Sequence, residues 1–265
     1  MKTWTASRIK ALKGHEKIVC LTAADCAMAR ILDAAGLHLI LVGDSLAMTV
    51  LGYETTLPVT LEQMLHHTAA VVRGVEHALV VADMPFLSYQ ASEDEAVFNA
   101  GRFLKEAGAD AVKIEGGTIR GPLVRRLVEN GIPVLGHIGL TPQSVHQLGG
   151  YRVQGRQPEA AAALLDAARA LSEAGVFGIV LECVPPTLAQ TISAEVAVPT
   201  IGIGAGAGCD GQVLVTADML GLSGARTPRF VKRYAELENA IFAAASAYRN
   251  EVTDGTFPGP EHGYS

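Results

Sequence analysis

Five apolar, β-branched segments of this chain each end in side chains that can bind a metal or move a proton. These side chains are Asp44 and Ser45, Asp83, Lys113 and Glu115, His137, and Glu182. A core strand does not need a charged last residue, because burying an unpaired carboxylate or ammonium is costly. Parallel α/β folds gather the carboxyl ends of their strands where their active sites lie. The pattern therefore predicts one polar site built from several strand ends.

Three of these side chains are carboxylates on three different predicted strands. Asp44, Asp83 and Glu115 would supply the oxygen ligands that a hard cation such as Mg²⁺ prefers. Each acid taken singly could instead cap the helix that follows its strand. The presence of all three at equivalent positions favours a magnesium site over three separate caps.

Lys113 and Glu115 lie two residues apart on one predicted strand, so both side chains point to the same face. In a barrel that face is the interior. A buried lysine needs an anion, and a substrate carboxylate that bridges the lysine and the metal would provide one. The alternative is a structural ion pair of Lys113 with Glu115 or Asp83.

Glu182 and His137 are the candidates for proton transfer and hydrogen bonding. Glu182 ends the segment IVLE, and apolar surroundings raise the pKa of a carboxylate, as a general base acting on a carbon acid requires. A helix cap or a salt bridge is the alternative for Glu182. His137 could bind the substrate or donate a hydrogen bond, although a single histidine at a strand end is as often satisfied by a backbone carbonyl.

An alternation of strands and helices has to position these residues. Several of the helix-like segments between the strands start at an Asp, Ser or Thr cap and end at glycine. The predicted strands span 18–24, 38–44, 78–83, 111–115, 133–138, 178–183, 199–204 and 213–216. This alternation predicts a single-domain (β/α)8 barrel. A doubly wound open sheet is the alternative, but its polar residues would gather at one switch point.

Both ends of the chain are predicted to extend beyond the barrel. The core would span residues 18–225, with an N-terminal extension before it and a C-terminal extension over 226–265. Residues 229–252 are predicted to form an amphipathic helix, followed by an irregular tail. The glycine-rich segment 199–212 would bend the chain tightly over a pocket, because it matches neither the P-loop nor the dinucleotide-binding pattern.

Composition narrows the classes of function. The chain has 265 residues and a formal net charge of −6, and 49% of its residues are hydrophobic. It contains no block of Lys and Arg, so we expect no nucleic-acid partner. It has no signal-peptide pattern and no apolar run of membrane length, so we expect a soluble, cytoplasmic protein with no membrane partner. The four cysteines lack metal-binding or disulfide spacing and are expected to be reduced.

Six motifs, in order along residues 20–240, resemble the ketopantoate hydroxymethyltransferase family. They are GDS, DMPF, KIEGG, GHIGLTPQ, LECVP and IGIGAG. The resemblance implies a (β/α)8 barrel that binds Mg²⁺ and transfers a hydroxymethyl group from the co-substrate 5,10-methylenetetrahydrofolate to 3-methyl-2-oxobutanoate. The product would be 2-dehydropantoate, on the route to pantothenate and coenzyme A. The resemblance also implies a homo-oligomer, commonly a decamer.

The resemblance further implies roles for individual residues. These are metal binding for Asp44, Asp83 and Glu115, the last directly or through water; contact with the oxoacid for Ser45, Lys113, Asp44 and Asp83; and acceptance of the C3 proton for Glu182. The chain departs from the family pattern at Ala24, where an aromatic residue is usual, at His38, where Asp is usual, and at Ala217, where a bulkier residue is expected. These changes remove no ligand and leave the base in place, and they bear on pocket fit and packing.

Two other functions fit part of the pattern. One is a related Mg²⁺-dependent barrel that acts on another 2-oxoacid as a carbon–carbon lyase or mutase. Such an enzyme would carry a catalytic cysteine or acid loop, and the segment GGTIRGPL after the fourth predicted strand has no such element. The other is a non-catalytic binding barrel, which would have lost a ligand or the base, whereas this chain retains Asp44, Asp83, Glu115, Lys113 and Glu182.

Overall fold

Eight parallel strands of this protein close into a barrel. The computed structural model describes residues 2–224 and 227–264. Each strand pairs with the next one along the chain, and the last pairs with the first. The strands are β1 (Ile18–Thr22), β2 (Leu39–Val42), β3 (Leu79–Asp83), β4 (Ala111–Glu115), β5 (Val134–Gly139), β6 (Gly178–Glu182), β7 (Thr200–Ile203) and β8 (Gly211–Leu214). The predicted (β/α)8 barrel is confirmed, and the open sheet is wrong.

Helices alternate with the strands, and local sequence signals set several of their ends. Thr60 and Gln63 form a capping box at the start of α4. Asp25 and Ser92 cap α2 and α5, and Gly175 ends α8 in the left-handed conformation. The helices are α1 (Ala6–Ala11), α2 (Cys26–Ala34), α3 (Leu46–Thr49), α4 (Leu61–Val72), α5 (Glu93–Lys105), α6 (Gly121–Glu129), α7 (Val145–Leu148), α8 (Pro158–Ala174), α9 (Pro186–Glu195), α10 (Thr216–Met219) and α11 (Leu237–Thr253), with 3-10 turns at Thr118–Arg120, Pro142–Ser144 and Pro260–His262.

Side chains along β4 alternate between two buried regions. On β4, Val112 and Ile114 belong to the large apolar cluster that the strands form with the helices. Lys113 and Glu115 are also buried, but they lie outside that cluster. Successive side chains of a strand point to opposite faces, so this second pair faces the barrel interior. The prediction that Lys113 and Glu115 share the interior face is confirmed.

Only β4 has its predicted bounds, and the other seven strands differ from theirs by one or two residues at one or both ends. β2 ends two residues early, because the N–H of Asp44 donates to Asp83 Oδ2 instead of extending the strand ladder. β8 starts at Gly211, before the predicted span of 213–216. A Cβ at Gly211 would clash with the carbonyl oxygen of Ile18, so glycine allows β8 to approach β1 and close the barrel. The strand propensity of glycine is poor, which hides this start in the sequence.

The chain divides into two compact units, residues 1–215 and 216–265. The first unit contains the complete barrel, and the second contains α10 and α11. The prediction of one domain over the whole chain stays a prediction.

The C-terminal helix is shorter than predicted. The predicted helix spans 229–252, whereas α11 begins at Leu237, so the prediction is wrong for its first two turns. The backbone N–H groups of Tyr234 and Leu237 donate to the carbonyl oxygens of Met219 and Leu220 rather than to residues four positions earlier. None of the residues of α11 is buried.

Two further observations concern the class of protein. The four cysteines, Cys20, Cys26, Cys183 and Cys209, are free thiols. Over residues 2–224 and 227–264, every helix is too short or too polar to cross a membrane.

Candidate active site

The strand register places most of the predicted site residues side by side. Asp83 pairs with Lys113 across β3 and β4, and Glu115 pairs with His137 across β4 and β5. Glu182 is the last residue of β6 and lies beside the end of β5. All five residues therefore meet at the carboxyl end of the barrel, as the sequence predicts.

Asp44 and Ser45 join this site from the turn between β2 and α3. The N–H of Asp44 donates to Asp83 Oδ2 at 2.9 Å, which holds the turn against β3. Ser45 occupies the N-cap position of α3 but makes no capping hydrogen bond with its side chain. The following helical segments have Ser92 and Gly117 at their N-cap positions. The helix-cap alternative for the three acids is therefore wrong.

Lys113 lies at the centre of the cluster. Its Nζ is 3.0 Å from Asp83 Oδ1 and 3.9 Å from Glu115 Oε1, and it is 3.1 Å from His137 Nδ1. Burial lowers the pKa of Lys113, but the negative charges of Asp83, Glu115 and Asp44 outweigh burial and raise it. The lysine is therefore an ammonium group, and the ion pair given as its alternative role is present.

The three carboxylates differ in how easily they ionise. Burial, reinforced by the charges of Asp83 and Glu115, raises the pKa of Asp44 well above its ordinary value. Burial also raises the pKa of Asp83, against the opposing charge of Lys113. Burial acts in the same direction on Glu115, but its contacts with His137 and Lys113 prevail and lower its pKa. Lys113 and His137 are the two cationic side chains of the site, and their positive charge does not fully offset the negative charge of the three carboxylates.

The carboxylate oxygens fit a hard divalent cation. Asp83 Oδ1 and Glu115 Oε1 are buried and lack a hydrogen-bond partner, although Lys113 and His137 lie within ion-pair distance of them. Asp44 adds a third carboxylate. A divalent cation would offset the repulsion that raises the pKa of Asp44. In the part of the chain that the structure describes, no group of three or more His, Cys, Asp or Glu side chains is placed so that it could hold a metal ion by itself.

His137 links the acid cluster to Glu182. Its Nδ1 is 3.3 Å from Glu115 Oε1, and its Nε2 is 3.1 Å from Glu182 Oε2, without the angle of a hydrogen bond. Burial and the charge of Lys113 lower the pKa of His137, but pairing with Glu115 and Glu182 outweighs them and raises it to about 9. Both ring nitrogens face carboxylates, so the alternative of a backbone carbonyl partner for His137 is wrong. The salt bridge given as the alternative for Glu182 is present.

Gln143 and Tyr89 also belong to the site, although the sequence reasoning did not single them out. Gln143 Nε2 donates to Asp44 Oδ2 at 2.9 Å, and its backbone N–H donates to Glu115 Oε2 at 3.0 Å. The Tyr89 hydroxyl donates to Gln143 Oε1 at 2.7 Å, which fixes the orientation of the amide. Gln143 ends the GHIGLTPQ motif, so a polar residue in a short turn just after His137 was the available signal.

The three departures from the family pattern lie at different places. The carbonyl of Ala24, just after β1, contacts His67 Nδ1 at 2.7 Å. His38 precedes β2, at the opposite end of the barrel from the acids, and its Nδ1 accepts a hydrogen bond from the Val19 N–H. Ala217 lies on α10 in the second unit. The prediction that His38 affects packing at the far end of β2 agrees with this position.

Several solved enzyme structures share the fold of this chain. A phosphoenolpyruvate phosphomutase from Streptomyces platensis subsp. rosaceus superposes with a TM-score of 0.63 at 15% identity, over 98% of this chain and 92% of that one. A 2,3-dimethylmalate lyase of the PEP mutase/isocitrate lyase superfamily superposes with a TM-score of 0.61 at 19% identity, over 98% and 89%. At these identities the likeness shows the fold alone.

Sequence relatives are much closer. The family model described as ketopantoate hydroxymethyltransferase matches residues 3–260. The 3-methyl-2-oxobutanoate hydroxymethyltransferase of Syntrophus aciditrophicus is 58% identical over 98% of this chain and 96% of its own length. The enzyme of the same name from Enterococcus faecalis is 56% identical over 94% and 91%. The chain therefore belongs to the ketopantoate hydroxymethyltransferase family.

Proposed function

We propose that this protein transfers a hydroxymethyl group to 3-methyl-2-oxobutanoate, with 5,10-methylenetetrahydrofolate as the one-carbon donor. The products are 2-dehydropantoate and tetrahydrofolate, and the step leads toward pantothenate and coenzyme A. The C3 proton of the oxoacid leaves, C3 forms a bond to the donor methylene carbon, and water supplies the hydroxyl group. The bonds from that carbon to N5 and N10 of the folate break, and the two protons released by C3 and by water end on these nitrogens. The observation that carries this proposal is the position of Glu182, a partly exposed carboxylate at the edge of a buried cluster of acids around Lys113.

The acid cluster supports a magnesium-binding role. Asp44 and Asp83 would hold the ion, with Glu115 as the third acidic group, bound to it directly or through water. Mg²⁺ keeps several non-protein ligands in most sites, so the carboxylate and keto oxygens of a 2-oxoacid would complete its coordination. A bound Mg²⁺ would act as a Lewis acid toward those oxygens and lower the cost of negative charge that develops on them.

Lys113 and Ser45 would bind the same part of the substrate. The ammonium of Lys113 is buried and fixed by Asp83, so its charge is already oriented before the oxoacid arrives. A preorganised cation stabilises an enolate more than it stabilises the neutral keto form. The Ser45 hydroxyl is not used as a helix cap, so it can donate to the oxoacid carboxylate.

Glu182 would accept the C3 proton. Its carboxylate is 3.1 Å from His137 Nε2, so the imidazole ring limits the directions in which the carboxylate can point. The Glu182 side chain is 16% exposed, whereas the His137 side chain is 3% exposed. The base therefore lies where the buried cluster opens, which suits a proton taken from a carbon that must then meet a second substrate. His137 would orient the base and contact the oxoacid.

Deuterium exchange tests the role of Glu182. In D₂O, wild-type protein with Mg²⁺ should exchange the C3 proton of 3-methyl-2-oxobutanoate for deuterium. The loss of the C3 proton signal in the NMR spectrum measures this exchange. Glu182→Gln should bind the oxoacid with nearly unchanged affinity but lose exchange by about 10²–10⁴-fold, the usual contribution of a general base. Addition of 5,10-methylenetetrahydrofolate to the wild type should then yield 2-dehydropantoate.

The control variant is Glu195→Gln, in which the altered side chain pairs with Arg169 on the surface. It should exchange at the wild-type rate. Exchange that persists in Glu182→Gln would assign the base to another group. Absence of both exchange and product in the wild type, with any divalent metal, would reject the proposed reaction itself.

The assembly and the compartment are further parts of the proposal. Ile241, Phe242 and Tyr248 of α11 are exposed apolar side chains, and the helix has no buried residue. A surface of this kind is typical of an interface between subunits. The protein would act in the cytoplasm as a homo-oligomer, with the decamer implied by the family resemblance as its assembly.

A further inference from the structure

A short loop segment crosses the open end of the barrel above the acids. We call residues 149–154 the mouth segment. The backbone N–H of Gln154 donates to the carbonyl of Cys183 at 2.9 Å, immediately after β6. At the other end, the Tyr151 hydroxyl reaches Met48 Sδ at 3.8 Å, on the short helix after β2. In a closed barrel of eight sequential strands, β2 and β6 lie opposite one another. The mouth segment therefore spans the opening.

Two glycines allow the chain to turn into this position. Gly149 and Gly150, which follow α7, have φ angles of 67° and 110°. Side chains with a Cβ rarely adopt these angles, so glycine is required for the chain to leave the helix and cross the mouth. Tyr151 is the next residue and carries the aromatic ring over the site.

Exposure increases steadily from the acid cluster to the mouth segment. Lys113, Glu115 and His137 are buried, Glu182 is 16% exposed in its side chain, and Tyr151 is 51% exposed. Burial, followed by the charges of Asp44, Glu182 and Glu115, raises the pKa of Tyr151, so its ring lies within electrostatic reach of the acids. A second substrate that must reach Glu182 has to enter on the side where Tyr151 lies.

Exposed apolar side chains lie on both segments that meet at this opening. Met48, Val50 and Tyr53 on the segment after β2, together with Val153 on the mouth segment, are all exposed. A five-carbon oxoacid that binds through its keto oxygen and its carboxylate can cover little of this surface. A flat, two-ring heterocycle would cover more of it, because aromatic side chains bind ring faces by stacking.

We propose that Tyr151 and Met48 form the surface on which the pterin ring of the one-carbon donor lies, an inference that rests on the proposed function. The ring would stack on the Tyr151 face and contact the Met48 thioether, which favours aromatic neighbours. This placement brings the transferred carbon over Glu182, where the C3 proton of the oxoacid has just been removed.

Kinetics of Tyr151 variants test this inference. Tyr151→Ala should raise the KM for 5,10-methylenetetrahydrofolate by about 10–100-fold, in the range of aromatic stacking on a base. The KM for the oxoacid and the donor-independent deuterium exchange at C3 should stay within about twofold of wild type. Tyr151→Phe keeps the ring face and should restore the donor KM. Phe98→Ala, which removes another exposed aromatic side chain from α5, is the matched control and should change neither KM.

A direct binding measurement gives an independent readout. Calorimetric titration of Mg²⁺- and oxoacid-loaded protein with 5-formyltetrahydrofolate, a stable analogue, should show weaker binding to Tyr151→Ala than to Tyr151→Phe by the same 10–100-fold factor. An unchanged donor KM and analogue affinity in Tyr151→Ala would overturn the inference. A rise in the oxoacid KM instead would assign Tyr151 to the oxoacid, which also overturns it. A wild-type protein that exchanges C3 but makes no product with the folate donor would reject the donor in the proposed function.

Discussion

The two ends of this barrel use the same residue types in opposite ways. At the amino ends of the strands, Asp110 accepts a hydrogen bond from the Val80 N–H and pairs with Lys2 at 2.6 Å. Asp210 likewise accepts from the Thr200 N–H and pairs with Lys13 at 3.0 Å. Asp33 accepts hydrogen bonds from three successive backbone N–H groups just before β3. Each of these acids has partners that exist only in the folded chain.

At the carboxyl ends, the acids compete for too few partners. One lysine serves Asp83 and Glu115, and each of these two acids has a buried oxygen without a hydrogen bond. Burial and repulsion raise the pKa of Asp44 well above its ordinary value. A satisfied carboxylate contributes stability, whereas an unsatisfied one is available to a ligand. The comparison indicates that one end of the barrel maintains the fold and the other holds a reactive arrangement at some cost in stability.

Asp83→Asn, at the carboxyl end of the barrel, should have the largest effect on activity. The amide keeps one oxygen, which can accept from Lys113 or from the Asp44 N–H but not from both, and it loses the charge that would bind the metal. We expect kcat/KM to fall about 10³-fold, or about 4 kcal/mol in transition-state stabilisation. Affinity for Mg²⁺ and for the oxoacid should fall together, as measured by calorimetry.

The free energy of unfolding should change little in Asp83→Asn, because the substitution removes one member of a crowded set of charges. A decrease of several kcal/mol in the free energy of unfolding of Asp83→Asn, together with normal Mg²⁺ affinity, would contradict a role of Asp83 in metal binding. That result would make Asp83 a structural acid like those at the amino ends of the strands.

Gln143→Met should have an intermediate effect. The methionine has a similar size but cannot donate to Asp44 Oδ2 or accept from the Tyr89 hydroxyl, so Asp44 loses the partner that orients it. Loss of such an orienting partner costs about 10–100-fold in metal affinity, and we expect that decrease for Mg²⁺. The measurement is calorimetric titration with Mg²⁺ alone.

Gln147→Met is the matched control, because Gln147 is an exposed glutamine four residues further along the chain. It should bind Mg²⁺ like the wild type. Equal Mg²⁺ affinity in Gln143→Met and Gln147→Met would mean that Asp44 needs no orienting partner.

The sequence predicts the positions of the acidic site residues better than it predicts the residues that orient them. Asp83, Lys113 and Glu115 are predictable because strand alternation and a polar strand end are local patterns, and both survive in the folded barrel. Gln143 is not predictable in this way, because its contact with Asp44 joins residues 99 positions apart. A glutamine in a turn has no local pattern that reveals a distant partner.

The backbone conformation just beyond the strand ends cannot be predicted from the sequence for a similar reason. Alternation predicts opposite directions for the side chains of Glu182 and Cys183, but β6 ends at Glu182 and Cys183 has a φ angle of 47°. The carbonyl of Cys183 accepts the hydrogen bond from Gln154 that anchors the mouth segment. A left-handed conformation at a residue other than glycine depends on such tertiary contacts and not on the residue type.

The smallest expected effect concerns stability at the amino end of the barrel. Asp33→Asn keeps an oxygen that can accept from one or two of the three N–H groups but loses the charge, so we expect a loss of about 1–2 kcal/mol in the free energy of unfolding with normal kcat/KM. Burial raises the pKa of Asp33, but hydrogen bonds from Ala78, Glu76 and His77 outweigh it and lower the pKa from its ordinary value of 3.8.

This shift fixes the pH dependence of the Asp33 contribution. The unfolded chain takes up the proton first as the pH falls, so the stability due to Asp33 is complete above about pH 3.8 and is lost as the pH drops through the lower pKa of the folded state. Urea unfolding of wild type and Asp33→Asn at several pH values should show a stability difference that is constant near neutrality and shrinks in acid. Asp166→Asn, on the surface, should show no such difference. A gap between wild type and Asp33→Asn that widens in acid would mean that the backbone N–H groups do not stabilise the Asp33 carboxylate.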